Sequence, residues 1–181
     1  MTVLYFGSFN PFHIGHAAVA KFVAALPWVE ELCFVLSPKN PIKESNTLQD
    51  ANIRWEDLQR VVKKLNKEVE GTSFTASDIE FHLEPPLYTY NTLERLSQEF
   101  PDKHFALLMG GDNINILHKW YRGEELMQKY PILVYPREGV DTEAICKEKG
   151  AIFIDAPQVN VSSTQIRNMQ ARGENVSHLR Y

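Results

Sequence analysis

Two histidines near the start of the 181-residue chain are the side chains best placed to do chemistry. His13 and His16 are three positions apart, so at the start of a helix both imidazoles project to the same side. An apolar, strand-like run at 3–6 precedes them, followed by Gly7 and the turn signal Asn10-Pro11. A strand, a glycine turn and a helix N-terminus place backbone N–H groups where they bind an anion. Beside a bound phosphate, both imidazoles could donate hydrogen bonds to oxygens that gain charge in a transition state.

Two other interpretations of this pair of histidines stay open at this point. One imidazole could cap a carbonyl while the other packs in the core. The pair could also bind a metal, but helical metal pairs usually sit four residues apart, and no third ligand stands nearby. We therefore favour phosphate binding and predict no protein metal site.

A second candidate site opens the last predicted helix, at residues 162–167. Ser162 or Ser163 could serve simply as the N-cap. Three hydroxyl groups, from Ser162, Ser163 and Thr164, followed one turn later by Arg167, are more than a cap requires. Free N–H groups, hydroxyls and a guanidinium together favour a polyphosphate site.

A third candidate is the Gly110–Asn113 segment, which follows an apolar strand. Gly110 would allow a nucleotide to lie against the backbone, and Asp112 could accept a hydrogen bond from a ribose hydroxyl. Asp112 could equally cap the next helix. Trp120 and Tyr121 follow closely, although a tryptophan is more often part of the core than a stacking surface.

Alternating strands and helices must position these candidates. Strands are expected at 3–6, 31–36, 73–77, 104–109, 131–135 and 151–154. Helices are expected at about 16–25, after an N-cap at Asp50, and at 91–99, 123–128, 141–149 and 162–172. This alternation predicts an α/β fold with a doubly wound, mainly parallel sheet in a single domain, 1–181. Gly7, Ser37, Gly110 and Tyr135 all follow strands, so we expect them to converge on one cleft.

Composition narrows the setting in which the chain works. Hydrophobic residues make up 44% and charged residues 23% of the chain, which is ordinary for a globular protein. The net charge of −4 argues against a nucleic-acid partner. Cys33 and Cys146 carry no motif and indicate reduced thiols. No signal peptide precedes the first strand and no apolar run approaches membrane-spanning length, so we expect a cytoplasmic protein with no membrane partner. A homo-oligomer is possible.

His13-Ile14-Gly15-His16 resembles the (T/H)xGH phosphate-binding motif of the nucleotidyltransferase superfamily. Class I aminoacyl-tRNA synthetases carry a similar HIGH element. However, residues 162–167 look like the SSTxIR element of nucleotidyltransferases, not the lysine-rich loop of a synthetase, and the chain is short for a synthetase. The GxD of Gly110–Asp112 is also typical of the superfamily.

Further motifs resemble the bacterial nicotinate-nucleotide adenylyltransferases. Tyr88–Leu93 is similar to their YTxxTL segment, Asp78–Glu80 to the preceding DxE, and Asn40–Lys43 to their NPHK loop. The resemblance continues in the family's order to the end of residues 162–167 and covers nearly the whole chain. Three segments depart from it: Gly7–Asn10 replaces part of the usual GTFDP, Ile42 stands where the loop often has histidine, and Val176–Tyr181 lacks a clear match.

The resemblance implies transfer of AMP from ATP to nicotinate mononucleotide, by in-line attack without a covalent intermediate, giving deamido-NAD and pyrophosphate. Mg²⁺ would be carried by the substrate phosphates. The implied catalytic residues are His13, His16 and Arg167; the ATP-binding residues are Gly7, Ser8, Phe9, Gly110, Asp112, Ser162, Ser163 and Thr164; the pyridine nucleotide-binding residues are Lys43, Thr89, Asn113, Trp120, Tyr121 and Arg137. In that family the tryptophan stacks on the pyridine, while backbone N–H groups at the positions of Thr89 and Tyr121 bind the carboxylate.

Several alternatives to this function are left open. The same fold could use nicotinamide mononucleotide or another phosphate acceptor, such as pantetheine phosphate, or transfer a cytidylyl group. The chain could also be a catalytically dead nucleotide-sensing module. Arg54 and Arg137 could each be a ligand or a surface charge, and whether the Lys43 loop closes on substrate is open.

Overall fold

The computed structural model describes residues 1–38 and 50–181, so Lys43 and the rest of the Asn40–Lys43 motif lie outside the described residues. Within them, six strands form one parallel sheet in the order β3-β2-β1-β4-β5-β6. The strands are β1 (Thr2–Gly7), β2 (Glu31–Leu36), β3 (Ser73–Ser77), β4 (Phe105–Gly110), β5 (Ile132–Tyr135) and β6 (Ile152–Phe153). The predicted doubly wound α/β fold is confirmed.

Among the described residues, seven α-helices accompany these strands, six of them between strands and α7 after β6. They are α1 (Ile14–Ala24), α2 (Ala51–Glu68), α3 (Thr89–Glu99), α4 (Gly111–Ile116), α5 (Gly123–Lys129), α6 (Thr142–Lys149) and α7 (Ser163–Ala171). Helices α1 and α3 each begin two residues before the predicted start, and α1 does so because His13 serves as its N-cap. Helix α4 begins directly after β4 and was not predicted as a separate element.

The sheet carries a core on each face. Alternating β1 side chains divide between them: Val3 and Tyr5 pack with α1 and α2, whereas Leu4 packs with the helices of the other face. Strands β1, β2 and β4 are almost entirely buried, as expected for strands covered on both faces. Because the strand order reverses between β1 and β4, the crevice beyond their carboxyl ends is where a ligand is expected.

Arg54 lies in the apolar stripe of α2 and is only 1% exposed. Its guanidinium donates hydrogen bonds to the carbonyl oxygens of Ser8 and Ser37, at 2.8 and 2.9 Å, and of Pro38, at 2.8 Å. It therefore ties α2 to the carboxyl ends of β1 and β2. This burial excludes the surface-charge alternative for Arg54, while the ligand alternative stays untested beside the observed structural role.

Candidate active site

His13 and His16 cap each other at the start of α1. The Nδ1 atom of His13 accepts a hydrogen bond from the backbone N–H of His16, and His16 Nδ1 accepts one from the N–H of His13, both at 3.3 Å. The rings stack with centroids 3.6 Å apart. A Cβ on Gly15 would lie 3.0 Å from His13 Nδ1, so glycine provides the room that this imidazole occupies.

This double cap determines which ring nitrogen carries a proton. Because each Nδ1 is an acceptor, each neutral ring carries its hydrogen on Nε2. Burial, and then the positive charge of Arg137, lowers the pKa of His13 to about 4. Burial lowers the pKa of His16 well below its ordinary value, with smaller contributions from His13 and Arg137. Both imidazoles are therefore neutral Nε2–H donors at pH 7, and capping and donation are compatible roles.

The lowered pKa of His13 predicts a loss of stability in acid. Since the folded-state pKa lies below the unfolded value of 6.5, protonation favours the unfolded chain, so this contribution is complete above pH 6.5 and is lost as the pH falls towards 4. The full effect is on the order of 3 kcal/mol. Urea unfolding of the ligand-free protein between pH 7 and 4 measures it.

The matched control for the acid effect is His13→Asn, whose side-chain oxygen can still cap the His16 N–H but does not titrate. The free energy of unfolding of this variant should fall less steeply between pH 6.5 and 4 than that of the wild type. Equal slopes in the two proteins would contradict the low pKa of His13. The carboxylates titrate in both proteins, so their contribution to the pH dependence of the unfolding free energy cancels in this comparison.

Both histidines border an open cavity of about 660 Å³ beyond the sheet, which we call the histidine cavity. Its walls come from the β1 end, the start of α1, the β5 end and the segment before α7. The lining residues that matter here are Tyr5, His13, His16, Asp112, Tyr135, Arg137, Ser162 and Gln165. The cavity thus combines imidazole, phenol and guanidinium donors with two carboxylates, those of Asp112 and Glu138.

Arg137 lies in the histidine cavity, although it was predicted to bind the pyridine nucleotide. Its Nε is 3.4 Å from Asp112 Oδ1, and its Nη2 donates to the hydroxyl of Tyr135 at 3.2 Å. A Cβ on Gly110 would lie 2.8 Å from Arg137 Nε, so this glycine makes room for the Arg137–Asp112 pair. Gly110 lines neither this cavity nor the second one described below, and its predicted contact with ATP stays a prediction.

The start of α7 is partly committed to holding the fold together. The hydroxyl of Ser162 caps the helix by accepting from the Gln165 N–H at 3.1 Å, and Ser162 borders the histidine cavity. The hydroxyl of Ser163 donates to the carbonyl of Pro11 at 3.0 Å. Ser163 is thus engaged with the turn before α1 and does not line the histidine cavity.

Arg167 makes a second connection between α7 and the same turn. Its Nη1 donates to the carbonyl of Asn10 at 2.7 Å, and its Nη2 donates to the Thr164 hydroxyl at 3.1 Å. Neither Arg167 nor Thr164 lines the histidine cavity. The predicted polyphosphate contacts of Ser163, Thr164 and Arg167 therefore stay predictions, beside an observed role in fixing the turn.

A second cavity, of about 390 Å³, lies on the other side of the β1–β4 crevice, and we call it the aromatic cavity. Its lining brings together four predicted pyridine-site residues: Thr89, Asn113, Trp120 and Tyr121. Gly7 and Ser8, predicted to bind ATP, border this cavity instead of the histidine cavity. Phe9 is 3% exposed, and a Cβ on Gly7 would lie 2.8 Å from its ring. Because the side chain is buried, only the backbone of Phe9 is available to a ligand.

The aromatic cavity offers unpaired N–H donors. No side chain caps α3, which begins at Thr89, so its first N–H groups have no partner within the helix. The indole Nε1 of Trp120 is buried and has no hydrogen-bond partner among residues 1–38 and 50–181. The ring of Tyr121 stacks on Tyr88 with centroids 4.5 Å apart. An anionic, planar ligand suits these groups.

Sequence reasoning gave no role to Glu80, which also borders the aromatic cavity. This carboxyl group is 3% exposed and accepts a hydrogen bond from the Thr92 hydroxyl at 2.9 Å. Burial raises its pKa, while hydrogen bonds from Ser37 and Thr92 act in the opposite direction. Thr92 lies on α3, so Glu80 supports the helix whose N-terminus faces the cavity. The available signal in the sequence was the position of Glu80 in the Asp78–Glu80 segment, which resembles the DxE motif.

Residues 1–38 and 50–181 contain no group of three or more His, Cys, Asp or Glu side chains able to hold a metal ion. Within the same ranges, no helix has the length and apolar character needed to span a membrane.

A family model and individual relatives both match nearly the whole chain. The model of the cytidylyltransferase-like family matches residues 4–169. A protein from Flavobacterium johnsoniae named probable nicotinate-nucleotide adenylyltransferase is 39% identical, covering 97% of this chain and 89% of its own length. One of the same name from Porphyromonas gingivalis is 38% identical, covering 98% and 88%.

Solved structures support the fold. Nicotinic acid mononucleotide adenylyltransferase of Plasmodium falciparum, in complex with NaAD, superposes with a TM-score of 0.82 at 22% identity. The match covers 97% of this chain and 86% of the other. A putative nicotinate-nucleotide adenylyltransferase from Vibrio parahaemolyticus gives a TM-score of 0.71 at 20% identity, covering 99% and 92%. At these identities the two structures bear on the fold alone.

Proposed function

The chain belongs to the cytidylyltransferase-like family, and from this premise we propose that it transfers AMP from ATP to nicotinate mononucleotide, giving deamido-NAD and pyrophosphate for NAD biosynthesis. The observation that carries the proposal is the pair of mutually capped, neutral imidazoles at the mouth of the histidine cavity. Consecutive residues of α4, Asp112 and Asn113, border the histidine and aromatic cavities respectively. Two substrates bound in these cavities would meet at the β1–β4 crevice.

The chemistry requires positioning and charge stabilisation more than proton transfer. The phosphate of the mononucleotide is already ionised at neutral pH, so it can attack the α-phosphorus of ATP in line without a general base. His16 Nε2–H would donate to an α-phosphate oxygen as its charge increases, and His13 would hold the α- and β-phosphates. No covalent intermediate is needed.

The leaving pyrophosphate would be held at the start of α7. Ser162 borders the histidine cavity, so its hydroxyl and the N–H groups of the first turn of α7 would bind this leaving group. The guanidinium of Arg167, which also contacts Asn10 and Thr164, would add positive charge. Mg²⁺ would enter with the substrate phosphates and neutralise part of their charge. Arg137, in the histidine cavity, is a further cation on the side where we place the ATP phosphates.

The aromatic cavity would bind the pyridine nucleotide. Its carboxylate would accept hydrogen bonds from the open N-terminus of α3 at Thr89 and from the backbone of Tyr121, while Trp120 would stack on the ring. Asn113 would bind the same nucleotide. Lys43 is proposed as a phosphate contact on the strength of the sequence only, because it lies outside the described residues.

Product identification tests this function. The protein is incubated with ATP, Mg²⁺ and nicotinate mononucleotide, and chromatography with mass spectrometry should find deamido-NAD and pyrophosphate in equal amounts. Parallel reactions replace the mononucleotide by pantetheine phosphate, or ATP by CTP, and should give no product. A product with pantetheine phosphate or with CTP would replace the proposed reaction. ATP binding without any product would contradict a transferase and indicate a nucleotide-sensing module.

The remaining proposals concern the setting. We propose that one domain spanning residues 1–181 carries the whole reaction and works in the cytoplasm on soluble nucleotides. Relatives aligned over nearly their full length support a single domain. The buried cysteines Cys33 and Cys146 are free thiols, as is usual for a reducing compartment.

A further inference from the structure

Two buried tyrosines in the wall of the histidine cavity have no part in the chemistry described so far. Tyr5 on β1 and Tyr135 on β5 are 4% and 6% exposed, and both line the cavity beside His13 and His16. Their hydroxyl oxygens are 3.2 Å apart. The Tyr5 ring also lies 6.1 Å from the His16 ring, centroid to centroid, so the phenols are next to the proposed catalytic imidazole.

The two hydroxyl groups have two hydrogens to donate, and the hydrogen bond between them uses only one. A phenol has a single hydrogen to donate, and only one hydrogen can lie between the two oxygens. The guanidinium of Arg137 has no acceptor, so at 3.2 Å it donates to Tyr135. Among residues 1–38 and 50–181 no other hydrogen bond to either hydroxyl is found. Whichever tyrosine donates to the other, one phenolic hydrogen has no acceptor within this part of the protein.

The surrounding charges favour Tyr135 as the residue with the free hydrogen. When Tyr5 donates to Tyr135, the two lone pairs of the Tyr135 oxygen are taken by Tyr5 and Arg137, and its own hydrogen points elsewhere. A cationic donor polarises the phenol and strengthens its outgoing hydrogen bond. Burial raises the pKa values of both tyrosines above 10, so both stay protonated at neutral pH. Tyr135 lines the open histidine cavity, so its hydroxyl hydrogen is available to a ligand oxygen that enters there.

We propose that Tyr135 donates a hydrogen bond to a phosphate oxygen of the bound nucleotide, and that Tyr5 is a positioning residue that orients the Tyr135 hydroxyl. The proposal rests on the proposed function, because it needs a nucleotide phosphate in the histidine cavity. An anionic oxygen suits the donors His13, His16 and Arg137. The carboxylates of Asp112 and Glu138 also line the cavity, and Asp112 is paired with Arg137. Tyr135 would thus join the imidazoles as a group that touches substrate.

The test is calorimetric binding of the non-hydrolysable α,β-methylene analogue of ATP with Mg²⁺ to Tyr135→Phe. Loss of a hydrogen bond to a charged group should raise the dissociation constant by about 10-fold or more. Tyr5→Phe should raise it only a few-fold, because Tyr135 keeps its hydrogen. The effect of Tyr5→Phe should vanish in the double variant, whereas a merely structural role of Tyr5 would persist there.

The matched control is Tyr130→Phe, which removes the hydroxyl of another buried tyrosine, one that contacts Ser97 and Glu94 away from both cavities. Its affinity for the analogue should equal that of the wild type, and all comparisons are made where circular dichroism shows each variant folded. If wild type binds the analogue and makes deamido-NAD but Tyr135→Phe binds equally well, the inference is overturned while the proposed function stands. If wild type fails to bind the analogue, the inference is overturned, and the proposed function falls with it only if no deamido-NAD is formed either.

Discussion

Replacing His16 with asparagine is expected to lower kcat about 10²–10³-fold while leaving folding and ATP affinity close to wild type. Asparagine places an oxygen near the position of Nδ1, so it can still accept the hydrogen bond from the His13 N–H. It has no atom at the position of Nε2, so the donor to the α-phosphate is lost. Steady-state rates and calorimetric ATP binding separate the two effects.

The matched variant for this prediction is His16→Gln, whose amide nitrogen lies near the position of Nε2 and whose cap on His13 is lost. It should retain more of the rate than His16→Asn and be less stable. His16→Ala, which loses both functions, should combine the two defects. A His16→Asn protein within threefold of the wild-type kcat would defeat the assignment of His16 as the transition-state donor.

Replacing Arg54 with methionine is expected to lower the free energy of unfolding by about 3 kcal/mol. The side chain is 1% exposed and donates to the backbone of Ser8, Ser37 and Pro38, and methionine of similar length would leave these carbonyls without that donor. Urea unfolding with an unchanged m-value measures the loss. Ser8 and Ser37 border the aromatic cavity, so KM for the mononucleotide should also rise.

The control for Arg54 is Arg60→Met on the same helix, where the arginine side chain is 71% exposed. Arg60 pairs with Asp57 in an exposed i,i+3 ion pair, so the same substitution there should change the unfolding free energy by no more than about 0.5 kcal/mol. An Arg54→Met protein within 1 kcal/mol of wild type, or one no less stable than Arg60→Met, would contradict the structural role of Arg54.

The local patterns of the sequence were sufficient to predict the architecture. Apolar runs such as Glu31–Leu36, and cap residues such as Asp50 and Ser162, depend on residues close by in the sequence. The predicted strands and these N-caps are found where expected. The two helix starts that were misplaced, those of α1 and α3, follow unusual N-caps. His13 caps through an imidazole, and Tyr88 caps with no side-chain hydrogen bond at all.

The arrangement within the site depends on contacts between distant segments, which spacing does not encode. The hydrogen bond of Arg167 to Asn10 joins residues 157 positions apart, and Tyr5 meets Tyr135 across 130 positions. Tyr5 lies within a buried strand, and the alternation of a strand gives a side chain's face but not its distance from the cavity. Arg54 did leave a signal, because it occupies the apolar spacing of Leu58, Val61 and Leu65 on α2.

The most direct test of the proposed reaction is the initial rate of pyrophosphate release with ATP and Mg²⁺, measured in parallel with nicotinate and nicotinamide mononucleotides. We predict kcat/KM at least 10-fold higher for the acid, a difference of about 1.4 kcal/mol in transition-state binding, because N–H donors at Thr89 and Tyr121 would meet its carboxylate. Equal rates would contradict the acid as the substrate and leave an adenylyltransferase. Absence of pyrophosphate with both mononucleotides would contradict transfer to a pyridine nucleotide and leave another acceptor or a nucleotide-sensing module.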